Sequence, residues 1–186
     1  MLKLVDMHKL PKIINTNTLA QTRFFCVEGV DLEFSNGARV SYERLNTKGN
    51  AAVLIVTMLD SDTVLLIREY AGGVHRYEVC CPKGKIEVDE DILQAANREI
   101  KEEVGYGAHQ LEFIKSMTSG PGYSNHTTHI VLASDLYKER LPGDEPEALE
   151  VVSWKLSELE TLIQQHDVTE ARTIAALFIV RDKLKK

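Results

Sequence analysis

Apolar and polar positions are patterned along most of the chain. Phe24 to Phe34 alternates well enough for a strand, Asn36-Gly37 has the chemistry of a hairpin turn, and Val40 to Leu45 reads as the return strand. A polar break, Asn46 to Asn50, follows. Ala51 to Leu59 is apolar enough for a strand buried on both faces, and Thr63 to Tyr70 follows it across Ser61-Asp62. Tyr77 to Cys81, Leu111 to Met117, His129 to Ala133 and Val151 to Trp154 read as shorter strands. Leu156 to Gln165 and Thr169 to Lys185 read as helices, the second with an apolar face of Ala175, Leu177, Phe178 and Leu184. Strands placed between helices predict an α/β protein: an α/β/α sandwich with a mixed sheet, plus a small N-terminal antiparallel β region. The expected division is an N-terminal hairpin region over 1–48 and a main domain over 49–186.

The most informative element is the helix expected from Asp89 to Val104. It lacks internal Gly and Pro, opens with acidic residues, and can close at Gly105. Ile92, Leu93, Ala96, Ile100 and Val104 form its core-facing stripe. At roughly 100° per residue, Glu103 falls inside that stripe and Glu99 at its edge, with Glu102 a little further round and Arg98 pointing well away. One reading is a solvated acidic face. Such a face should lie opposite the stripe, whereas two glutamates crowd it. A buried carboxylate is costly unless it is paired or binds a metal. Glu99 and Glu103 are also surface neighbours on a helix and repel each other. The other reading is therefore a hard divalent cation, Mg²⁺ or Mn²⁺, held by oxygen ligands.

The spacing of Gly84, Glu90, Arg98-Glu99, Glu102-Glu103 and Gly105 resembles the Nudix box at every position but the last, where Tyr106 stands for an aliphatic residue. The chain thus resembles the Nudix hydrolases. Pro121, sixteen residues after Gly105, is similar to a proline of the ADP-ribose pyrophosphatases in that family. DLEFSNG, LLIREYA, AANRE, GDEPE and the closing EAR...ALFIVRD run resemble the bacterial ADP compounds hydrolases. One departure concerns specificity. Many ADP-ribose pyrophosphatases carry a second arginine shortly after the Arg-Glu-Tyr triplet, and here Arg68-Glu69-Tyr70 is followed by Ala71.

The resemblance implies a Nudix-type sandwich, a loop–helix–loop binding Mg²⁺ (or Mn²⁺) against a diphosphate, and an N-terminal region that can exchange between the subunits of a homodimer. It implies Glu99 and Glu103 as principal metal ligands, Glu102 as a third ligand or shared base, and the Lys83 carbonyl as a further ligand. Arg98 is expected to brace the entering loop through Glu90. The acidic loop Pro142 to Glu150 supplies the matching candidates for a general base, Glu147 and then Glu145. Arg68 is a candidate phosphate or ribose contact, and Phe24 and Arg44 are candidates for contacting adenine. Phe24 also reads as a plain core residue, and Arg68 as half of a salt bridge. The implied activity is hydrolysis of the diphosphate linkage of ADP compounds (ADP-ribose, NADH, diadenosine polyphosphates) to AMP and a phosphorylated product. Alternatives are a non-catalytic nucleotide sensor and a nucleotide-sugar pyrophosphatase not restricted to adenine.

Composition bounds the partners. A net charge of −6 disfavours a nucleic-acid surface, though not a small nucleotide substrate bound beside a metal. Ala51 to Leu59 is too short for a membrane span, and MLKLVDMHKLPK lacks the apolar core of a signal peptide. Cys26, Cys80 and Cys81 show neither a paired framework nor metal-type spacing, which points to a reducing, cytoplasmic setting.

Overall fold

The computed structural model describes residues 9–49 and 51–185. The described residues divide into two compact units, one running up to Gly49 and including Thr118–His126, the other from Ala51 to Met117 and from Thr127 onward.

The first unit is a three-stranded antiparallel sheet, β1 (Lys12–Gln21), β2 (Cys26–Glu33) and β3 (Arg39–Leu45), with β2 in the middle. The expected hairpin is β2 and β3. Its turn is closed by the Asn36 side chain, which accepts from the Ala38 amide at 3.0 Å, and by Gly37 at φ 82°. A third strand that the sequence reading did not include, β1, joins this hairpin; it has ten residues, every position exposed. Its sequence, KIINTNTLAQ, has no apolar alternation to give it away, and register shifts at Ile13/Asn15 and Thr18/Ala20 break its period. Phe24 lies before β2 in a turn where the Thr22 hydroxyl accepts from the Phe24 and Phe25 amides. It is 75% exposed, so its reading as a core residue is also corrected. The segment Thr118–His126 joins this unit through Leu45, whose amide donates to the Tyr123 carbonyl at 2.7 Å.

The second unit is built on β4 (Ala52–Met58), β5 (Thr63–Ala71), β8 (Tyr106–Thr118), β9 (Thr127–Lys138) and β10 (Glu150–Lys155), in the order β10-β5-β4-β9-β8. β4 runs parallel to β9 and antiparallel to β5, so the sheet is mixed. β6 (Arg76–Cys80) pairs antiparallel with the end of β5, and β7 (Lys83–Lys85) pairs with β4. Alternate residues of β4 serve opposite faces. Val53 and Ile55 pack with Ala95, Ala96 and Ile100 of α1 (Ile92–Glu103), whereas Leu54 and Val56 pack with Ala176, Leu177 and Val180 of α3 (Ala171–Leu184). This is the expected three-layer sandwich. The continuous apolar run of β4 is explained by its two covered faces.

Several boundaries move for local reasons. α1 begins at Ile92 because Asp91 caps it: its carboxylate accepts from the Leu93 and Gln94 amides at 2.8 and 2.9 Å, and the Gln94 side chain accepts from the Asp91 amide. Asp89, at φ 67°, lies outside the helix. The helix expected from Leu156 is a 3-10 turn, Leu156–Glu158, followed by the single-turn α2, Leu159–Leu162. Thr169 is diverted from helix by the Glu78 carboxylate, which accepts from both its amide and its hydroxyl, and α3 starts after the Glu170 cap. The inward face of α3 is Thr173, Ala176, Leu177 and Val180, while Leu184 is 48% exposed.

Candidate active site

Four pieces of chain build the site: β7, the loop entering α1, α1 itself, and, after β8 and β9, the loop from Pro142 to Pro146. They enclose a cleft of about 690 Å³, a size suited to a small-molecule ligand. Glu69 from β5 joins the lining.

Two carboxylates of α1 are driven into the protein by the helical phase of its stripe. Glu99 is 7% exposed and Glu103 is 3% exposed. Burial pushes Glu99 up to about 7 against the opposing pull of Arg98, and pushes Glu103 up to about 8 against the pull of Lys83. Gly84 is required beside them, because a Cβ there would occupy the space of the Glu99 carboxylate. Glu103 accepts from the Lys83 amide at 2.8 Å, so β7 is fastened to the last turn of α1.

Arg98 organises the remaining acids. It grips Glu90 through two nitrogens at 2.9 and 3.0 Å, reaches the Lys85 carbonyl at 2.9 Å, and donates to Glu99 at 2.8 Å and Glu102 at 2.9 Å. The expected brace to Glu90 is therefore present. The guanidinium bends back from the outer face of the helix to the acid cluster, which a wheel of Cα directions does not show. Glu90 in turn accepts from the Glu87 amide at 3.1 Å, and Arg98 holds the Glu90 carboxyl below its ordinary value.

Sequence reasoning missed three contributors. The Lys83 ammonium forms an ion pair with Glu69 and lies 3.3 Å from Cys80 Sγ. Glu69 lies in the Arg-Glu-Tyr triplet, and strand alternation sends it to the opposite side from Arg68. Tyr77 donates its hydroxyl to Glu147 at 2.5 Å. The two loop candidates are thereby distinguished: Glu145 lines the cleft, and Glu147 is not among the lining residues.

Arg68 pairs with Glu150 at 2.9 Å and with Asp167, outside the cleft lining. In the other unit, Arg44 and Pro121 line one cavity of about 210 Å³ together with Tyr42 and Tyr123. Arg44 is paired with Glu28 at 3.0 Å, and the exposed Phe24 ring carries the Arg23 guanidinium 4.2 Å from its centre.

The cleft is lined by seven carboxylates against Lys83, Lys85 and Arg98. Such an excess of negative charge would repel a polyphosphate unless a cation came between them. Among the described residues, no three His, Cys, Asp or Glu side chains form a ready-made metal cage. The carboxylates that are present would suit a hard divalent cation that takes one or two of them and completes its shell with water and substrate phosphate. The raised carboxyls of Glu99 and Glu103 fit the same group, since a bound cation favours their ionised forms.

A model described as the NUDIX domain matches residues 48–177, and one described as the NudE-type Nudix hydrolase N-terminal domain matches residues 11–44. The chain belongs to the Nudix hydrolase family. It is 49% identical over 175 residues to the ADP compounds hydrolase NudE of Escherichia coli (strain K12), covering 94% of each chain. It is 30% identical to the ADP-ribose pyrophosphatase of Bacillus subtilis (strain 168), over 89% of this chain and 92% of that one. A solved structure described as "Crystal structure of ADP compounds hydrolase" superposes with a TM-score of 0.90 at 48% identity, covering 96% of each chain. Nudix hydrolases generally need divalent metal ions, and the helix carrying Glu99, Glu102 and Glu103 is the Nudix box helix of this enzyme.

Proposed function

We propose that this Nudix hydrolase cleaves the diphosphate linkage of ADP compounds, among them ADP-ribose, NADH and diadenosine polyphosphates, releasing AMP and a phosphorylated second product. The observation that carries this reading is the buried pair Glu99 and Glu103, set against the bare backbone of Gly84 in a strongly acidic cleft. The identity to the Escherichia coli enzyme supports the substrate class.

Glu99 and Glu103 are the principal ligands for Mg²⁺, with Mn²⁺ as a substitute; Glu102 and the Lys83 carbonyl complete the protein donors. When bound, the ion neutralises phosphate charge and acidifies a water molecule. Arg98 keeps Glu99 and Glu102 in place before substrate arrives, as groups behind metal ligands do. Glu145 accepts the proton that the attacking water loses. As the water oxygen bonds to one phosphorus, the bridging P–O bond breaks and its electron pair stays on the departing phosphate. In every one of these substrates the departing group leaves with its charge on a phosphate oxygen, so no separate acid is required.

Phe24, Arg44 and Pro121 are the proposed nucleoside contacts. Arg68 would have to exchange Glu150 or Asp167 to reach a phosphate. Ala71 in place of a second arginine supports breadth beyond ADP-ribose alone. The enzyme is proposed to act as a homodimer through its N-terminal sheet, where Ile13, Leu19, Val40 and Tyr42 are exposed. A cytoplasmic setting is proposed from the three free, buried cysteines. Among the described residues no helix is long and apolar enough to cross a membrane.

A panel of ADP-ribose, NADH, diadenosine triphosphate and a non-adenine nucleotide sugar, each with Mg²⁺, tests the reading. AMP should appear from the adenine compounds. Equal turnover of the non-adenine sugar would remove the adenine restriction, and no turnover of any substrate would leave the protein a nucleotide sensor.

A further inference from the structure

The loop from Pro142 to Glu150 carries two glutamates separated by a single proline, and the structure sends them to different places. Glu145 lines the cleft, close enough to Glu99 for its charge to act on that carboxyl. Glu147 instead accepts the Tyr77 hydroxyl at 2.5 Å. Pro146 fixes its own φ and biases Glu145 toward extended backbone, which leaves few backbone torsions free between the two neighbours. Holding Glu147 therefore constrains where Glu145 points.

Tyr77 is well placed to do the holding. It lies on β6 opposite Tyr70, in a register closed by ladder pairs from Ile67↔Cys80 to Ala71↔Arg76. Its ring packs edge-on against Tyr70 at 5.8 Å, and the Tyr70 hydroxyl is in turn bonded to His75 Nδ1 at 2.6 Å. The ring is thus carried by a rigid hairpin. A hydroxyl donating to a carboxylate is a charge-assisted bond, stronger than a neutral one. The Glu147 carboxylate accordingly raises the pKa of the Tyr77 phenol.

We infer that Tyr77 is a positioning residue: its bond to Glu147 anchors the acidic loop on the β5–β6 hairpin and so aims Glu145 into the cleft. The kinetic part of this inference rests on the hydrolase reading above; the anchoring part does not. Glu147 is the tether and Glu145 the proton acceptor, which reverses the order given to the two by sequence.

The test combines steady-state kinetics on ADP-ribose with hydrogen exchange of the loop, using Tyr77→Phe, Glu147→Ala, Glu147→Gln, Glu145→Gln and the double variant Tyr77→Phe/Glu147→Ala in the full chain. Loss of one charge-assisted bond should lower kcat about five- to tenfold with KM within about twofold. The double variant should be no worse than Glu147→Ala alone, because both changes break the same bond. Glu147→Gln, which keeps an acceptor oxygen, should recover part of the loss. Glu145→Gln should cost about a hundredfold or more, as removal of a general base does. Amides of the loop should exchange faster in Tyr77→Phe than in the wild type, with Tm little changed. A wild-type kcat in Tyr77→Phe, additive losses in the double variant, or a Glu147→Gln defect as deep as that of Glu145→Gln would overturn the inference. Unchanged loop exchange would overturn the anchor even in a protein that hydrolyses nothing, whereas an inactive wild type would overturn the hydrolase reading and the kinetic role with it.

Discussion

At the scale of single residues, the protein keeps two carboxyls where water cannot stabilise their charge. Glu103 is pushed up to about 8, so between roughly pH 4.5 and 8 the folded, metal-free protein retains a proton that the unfolded chain has released. The sign follows: more protons bound in the folded state means that stability falls as pH rises through this window. Carboxyls held low, such as Glu90 beneath Arg98, are ionised in both states by about pH 5.5 and add no slope above it. In chelator, the wild type should therefore lose more Tm between pH 5.5 and 8 than Glu103→Gln does, and excess Mg²⁺ should remove the difference. Parallel melting curves for the two proteins in chelator would contradict this. Gly84→Ala should act differently. The added Cβ meets the end of the Glu99 side chain rather than backbone, so the carboxylate can swing aside. The fold should survive with little change in Tm, while kcat/KM falls about a hundredfold, in keeping with damage to metal-ligand geometry.

At the scale of elements, α1 was legible because several local signals agree on it. Its stripe is at helical period and Gly105 at φ 78° ends it, whereas its start at Ile92, set by the Asp91–Gln94 capping box, was not read. Asp91→Ala should cost about 1 kcal/mol of stability, lowering Tm by about 2–4 °C for a chain of this size. A loss below 1 °C by calorimetry would show that the cap is replaceable. β1 was not legible, because a strand exposed at all ten positions needs no apolar alternation. The short α2 was misread as a longer helix because an apolar period does not distinguish a 3-10 turn from the first turn of an α-helix. Within the site, the burial of Glu99 and Glu103 could be read from helical phase. The return of Arg98 to the acids, the Lys83–Glu69 pair and the Tyr77–Glu147 bond could not, since they depend on side-chain reach and on contacts across up to 70 residues of sequence.

At the scale of the whole molecule, one mixed sheet with helices on both faces supports a helix whose acids need a cation, and a separate small sheet supplies exposed apolar surface. Sedimentation should therefore give about twice the single-chain mass of 20.9 kDa, and a concentration-independent single-chain mass would contradict the proposed homodimer. The most direct measurement is AMP release from ADP-ribose with Mg²⁺ by the wild type and by Glu103→Gln, at equal Tm. The wild type should release AMP and Glu103→Gln should be slower by at least about a hundredfold. Turnover by Glu103→Gln at the wild-type rate would contradict the assignment of the buried pair as the metal site.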